Sequence, residues 1–112
     1  MIDLSAMVSK LNLISVSNIH IQREITGGYV SDLLSDVMAN AKDGNIWVTN
    51  QKHQNCIAVA SLLGIAAIII AGGVAPDDNT VEKAVEEKVP LYTTQLSAFE
   101  AVGRLYEMGI RG

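Results

Sequence analysis

Apolar residues recur along this chain in two periods, and the switches between them divide it into helices and strands. Leu4, Met7, Val8 and Leu11 stand at i, i+3, i+4 and i+7 behind Asp3, which puts them on one face of a capped helix over residues 3–11. Leu13 to Val16 reads as a short strand. Beyond polar Ser17 and Asn18, Ile19 and Ile21 alternate with His20 and Gln22, so a second extended segment is expected through Ile25. Thr26-Gly27-Gly28 follows, and paired glycines predict a turn or a close approach by another backbone. Leu33, Leu34, Val37, Met38 and Ala41 return to helical spacing, with Ser31 or Asp32 as cap and Gly44 just past the end.

From residue 46 the pattern alternates regularly. Ile46 to Val48 predicts a strand, Gln51 to Leu63 a helix stopped by Gly64, and Ala66 to Ala71 a central buried strand. Asp77 or Asp78 caps a helix that turns Val81, Ala84 and Val85 inward and leaves Glu82, Lys83, Glu86 and Glu87 to water. Val89 to Thr93 is a strand with Pro90 at its start. Ser97 and Glu100 have capping-box spacing ahead of a helix carrying Phe99, Val102, Leu105 and Tyr106 and ending at Gly109. Connections this short demand parallel strands with right-handed crossovers. The expected fold class is therefore α/β: a three-layer α/β/α sandwich on a mainly parallel sheet of about five strands, forming one domain over residues 1–112.

Composition sharpens this picture. Apolar residues make up 49% of the chain, yet it has one Phe and one Trp, so the core is aliphatic, as buried parallel strands require. The run from Cys56 to Val74 carries no charge and is long enough for a membrane span. Gly64 and the β-branched Ile68-Ile69-Ile70 divide it into helix, turn and strand instead, so no membrane contact is expected. A net charge of −4 would repel a phosphate backbone and excludes nucleic acid as the expected partner. The lone Cys56 permits no intrachain disulfide, and the first residues have no basic and apolar leader, which together suit a cytoplasmic protein.

Candidate chemistry is sparse. Ligands of parallel sheets gather at the carboxyl ends of the strands, which here are followed by Thr49 to His53, by Gly72-Gly73, and by Thr94-Gln95. If the Thr26-Gly27-Gly28 turn joins them, hydroxyls, free backbone N–H groups and an imidazole converge on one edge and suit an anion. The plainer alternatives are a strand exit for Gly72-Gly73 and a helix cap for Thr49 or Asn50. No second metal-binding side chain stands at ligand spacing from His53, so neither metal nor cofactor is expected. Nucleophile-elbow and phosphate-loop patterns are missing, and Cys56 lies among apolar neighbours where a thiol packs inertly. An unfamiliar enzyme would have to rely on His53 with Asp32.

The segment from Gln22 to Ser35, QREITGGYVSDLLS, resembles the signature of the DRTGG domain. The likeness continues through Thr49–Ala60 and Ile68–Gly73. Members of that family stand alone, or beside CBS domains in regulatory pyrophosphatases, or in phosphotransacetylases, and are similar to the N-terminal domain of HPr kinase/phosphorylase. The resemblance implies a fold like that N-terminal domain and like the uridine-nucleotide-binding domains of peptidoglycan ligases, and a regulatory role without catalysis. Gln22 replaces the family's Asp, whereas Arg23, Thr26, Gly27 and Gly28 match; a pair between that Asp and Arg23 would be lost here. The expectation is a homodimeric regulatory module binding a small anionic, nucleotide-like effector through Arg23, Thr26, Gly27, Gly28, Tyr29, Thr49, His53, Gly72 and Gly73, with Tyr29 stacking or hydrogen-bonding. The alternative is a dimerisation or partner-protein domain without a ligand.

Overall fold

A computed structural model describes residues 2–112. Five helices and five strands follow one another as α1 (Leu4–Lys10), β1 (Ile14–Ser15), β2 (Gly27–Val30), α2 (Leu34–Asn40), β3 (Asn45–Thr49), α3 (Asn55–Leu63), β4 (Ala67–Ile70), α4 (Asp78–Glu86), β5 (Leu91–Thr93) and α5 (Ala98–Glu107). The sheet order is β1-β5-β4-β3-β2. β2 to β5 run parallel, and only β1 is antiparallel, on β5. This is the α/β architecture that the periodicity predicts.

The pleat sorts the aliphatic strands into two cores. Ile46, Val48 and Ile69 face α1 and α5, where they meet Met7, Leu11, Ala101 and Leu105. Trp47, Ile68 and Ile70 face α2, α3 and α4, meeting Val37, Ile57, Ala60 and Ala84. β3 and β4 are buried along their whole lengths, which explains why they read as continuous apolar runs. The uncharged run from Cys56 resolves into α3, the left-handed cap Gly64 and β4. Among the described residues no helix is long and apolar enough to cross a membrane.

Three expectations need correction. The alternation over Ile19–Ile25 forms no strand; Ile21 is buried against the α1 and α5 layer, and side-chain ties hold the segment instead. Ser17 Oγ donates to the Val89 carbonyl and accepts from Leu91 N–H. The glycine pair makes no turn but opens β2, whose residues pair in register with Asn45 to Val48. On α4, Val85 is 48% exposed while Thr80 and Ala84 are the buried residues, because the Thr80 hydroxyl donates to the Lys52 carbonyl at 2.7 Å and draws that face inward.

Candidate functional site

The structure divides the expected site residues among three places. Arg23 and Thr26 lie at the amino ends of the strands. Arg23 donates to the Gly64 carbonyl at 3.1 Å and to the Asp43 carboxylate at 2.5 Å. Thr26 Oγ1 donates to the Asp43 carbonyl at 2.7 Å and accepts from Asn45 Nδ2. The Arg23 guanidinium, by hydrogen bond and charge, holds the Asp43 carboxyl below its ordinary value. This pair of residues ties the entry of β2 to the α2–β3 and α3–β4 turns.

Gly27 and Gly28 form the second place. Neither adopts a positive φ; their requirement is space. The C-terminal segment crosses beside them, with Gly28 N–H donating to the Arg111 carbonyl at 2.9 Å. A Cβ on Gly27 would stand 2.5 Å from that carbonyl oxygen, and one on Gly28 would stand 3.2 Å from an Ile110 methyl. Glycine inside a strand marks such an approach. Next to this crossing a groove of about 260 Å³ opens between β2 and α5, walled by Val30, Val48, Val102, Leu105 and Ile110, with Arg111 at its rim. Tyr29 also lines this groove. Its hydroxyl donates to Asp36 at 2.8 Å; that bond raises the Tyr29 pKa, while the hydroxyls of Ser31 and Tyr29 and the amide of Asn40 lower that of Asp36.

The third place is the carboxyl edge, where Thr49, His53, Gly72 and Gly73 do gather. The hydroxyl of Thr49 and the N–H groups of both glycines are already engaged. Gly72 N–H donates to the Leu96 carbonyl at 2.7 Å and Gly73 N–H to the Thr94 carbonyl at 3.0 Å, so the backbone cradle expected for an anion is closed. Buried Thr49 donates its hydroxyl to Asp32, which also accepts from Asn50 N–H. Asp32 thus stitches the end of β2 to the exit of β3 and caps no helix; the residue flanking α2 is Leu33. His53 meets Asp77 at 2.9 Å, not Asp32, so the acid–base pairing weighed from sequence is not formed. Both partners are largely solvated, with side chains 63% and 40% exposed. Gly72 and Gly73 have φ of +76° and +72°, and they leave room for the carboxamides of Asn50 and Gln95, which lie within 3.5 Å of where their Cβ atoms would be. Among the described residues no cluster of three potential metal ligands occurs.

A DRTGG domain profile matches residues 20–108. The chain belongs to the DRTGG domain family. The DRTGG signature is here a set of structural ties, with Arg23 bound to Asp43 across the fold. A crystal structure of the CBS and DRTGG domains of the regulatory region of Clostridium perfringens pyrophosphatase, complexed with the activator diadenosine tetraphosphate, is similar to this DRTGG domain. It overlays with a TM-score of 0.75 at 18% identity, covering 97% of this chain and 47% of that one; identity that low establishes a shared fold. This chain thus spans about half the length of that structure's chain. No curated protein matches it.

Sequence reasoning missed the partners that Asp32 and Asp77 take at this edge and the place of the Asn50 and Gln95 carboxamides beside the glycines. Asp77 begins α4 and was legible as a cap, but its carboxylate makes no cap bond and turns to His53. No spacing rule connects residues 24 positions apart on different loops.

Proposed function

We propose that this chain is a non-catalytic regulatory module that works as a homodimer, by assembly and not by chemistry. The observation that supports this is the condition of its signature. Arg23 and Thr26 bind their own chain, Gly27 and Gly28 admit the C-terminal segment, and Gly72 and Gly73 donate to neighbouring carbonyls. Groups so engaged hold a fold together, whereas large apolar side chains around β2 and α5 turn outward: Val30, Leu33, Phe99 and Tyr106 are all at least 49% exposed. Exposed apolar patches mark interaction sites. A regulatory role accords with the fold shared with a pyrophosphatase regulatory region, and the unpaired Cys56 accords with a reducing cytoplasm.

A second reading keeps a small anionic, nucleotide-like effector, because the similar structure was complexed with a dinucleotide. Such a ligand would lie over Gly72 and Gly73, met by His53 and by the Asn50 and Gln95 carboxamides. Arg23, Thr26, Gly27, Gly28 and Tyr29 would not share in it. Sedimentation velocity combined with calorimetric titration of diadenosine tetraphosphate, AMP and UMP separates the readings. A concentration-dependent dimer that binds none of them is the expected result. Saturable binding abolished by His53→Ala would move the function to the second reading, and a monomer at every concentration would overturn the first.

A further inference from the structure

We propose that the groove between β2 and α5 binds a small aliphatic α-amino acid, a ligand class apart from the nucleotides weighed above. Its size sets the first limit. Drug-sized ligands occupy pockets of roughly 300–1,000 Å³, and a groove of about 260 Å³ suits something smaller than a nucleotide. Its wall sets the second. Val30, Val48, Val102, Leu105 and Ile110 are all branched and aliphatic, a surface that gains from covering a hydrocarbon side chain and would strip water from a sugar without replacing it.

Arg111 at the rim selects the head group. It is the one charged side chain in the lining. Arg23 and Arg104 have carboxylate partners in Asp43 and Glu100, whereas Arg111 forms no ion pair among the described residues. Its Nη1 donates to the Tyr106 carbonyl, and its guanidinium lies over the Tyr106 ring, 3.7 Å from the centroid. The group is thus held in place with N–H donors left over, and a guanidinium grips a carboxylate as a fork. Acceptors lie on the β2 side. Ser31 N–H donates to the Val48 carbonyl, and alternation along a parallel ladder then turns the N–H and C=O of Gly28 and Val30 away from β3. Arg111 takes the Gly28 N–H, but no loop or turn N–H among the described residues donates to either carbonyl. They suit an ammonium. A net charge of −4 disfavours a free anion, and an amino acid escapes that penalty because its own ammonium balances its carboxylate.

Calorimetric and NMR titration of the whole chain with L-leucine tests the site. Isopentylamine lacks the carboxylate, isocaproate lacks the ammonium, and glutamate replaces the apolar side chain with a charged one. Saturable leucine binding that shifts the amide signals of Gly28, Val30 and Leu105, and leaves those of Gly72 and Gly73 in place, is the expected result. Loss of either head group should weaken binding by about tenfold or more, as should Arg111→Gln. Arg111 is exposed and its bond to Gly28 runs through the backbone, so the variant should fold, which circular dichroism checks. Absence of saturable leucine binding would overturn the site, and so would binding that an analogue or glutamate matches or that Arg111→Gln leaves unchanged. Sedimentation of the same samples keeps the homodimeric reading separate. A dimer that ignores leucine loses the site alone, and a monomer that binds it loses the assembly alone.

Discussion

Cys56 shows how much one side chain's surroundings decide. It packs in α3 against the sheet at 1% exposure, and burial pushes its thiol from an ordinary value near 9 up to about 11. A pKa raised by folding means that the neutral form's contribution is whole below pH 9 and is lost as pH rises through 11. Tyr29 and Tyr92, also raised, add to the same alkaline slope. Burial is the main cause for Tyr92, and the bond to Asp36 for Tyr29. Chemical denaturation measured from about pH 8 to about pH 11 should show stability falling with pH, and Cys56→Ala should flatten that fall without abolishing it. An unchanged slope in the variant would mean that the thiol ionises freely in the folded chain. The apolar setting of Cys56 was legible in its neighbours in sequence. The partners of His53 and Asp32 were not, because a carboxylate's hydrogen bonds depend on which loops the sheet brings together.

Among the elements, β2 departs furthest from its sequence signal. Thr-Gly-Gly has the composition of a turn, yet Gly27 and Gly28 are strand residues pairing with Asn45 and Ile46. Their spareness serves the crossing of the C-terminal segment, where Gly28 meets Arg111, a contact between opposite ends of the chain that local pattern cannot register. Gly27→Ala should therefore destabilise the fold by about 1–3 kcal/mol, since the obstructing atom is backbone and cannot rotate away. Gly28→Ala meets the Ile110 methyl at 3.2 Å and backbone no nearer than the Ile46 carbonyl at 3.6 Å, and should cost less. Urea denaturation of the two variants checks the order, and equal losses would remove the close-approach account. The Ile19–Ile25 segment failed for a related reason: its alternation is real, but Ser17 and Arg23 fasten it by side chains, leaving no strand beside it to pair with.

The whole molecule is a five-stranded sheet between two helical layers, and that much followed from strand and helix alternating after residue 46. Which edge gathers ligand-binding groups did not follow, because the rule for parallel sheets places loops without saying whether their donors are free. β3 and β4 lie inside the sheet order with every residue buried, while β1 at one edge has two residues. Native-state hydrogen exchange should find the slowest amides in β3 and β4 and the fastest in β1 and in residues 17–26. Comparable protection across the sheet would show that the chain opens only as a unit.

The crossing beside Gly27 and Gly28 also fixes how this domain would carry a mechanical load. Residues 110–112 leave the fold along β2, fastened by the bond from Gly28 N–H to the Arg111 carbonyl and by buried Ile110. Tension applied to Gly112 thus reaches β2 directly, and β2 meets the rest of the sheet through its ladder with β3. A tether or fluorophore attached there would report on the sheet's edge, and would not swing free of it.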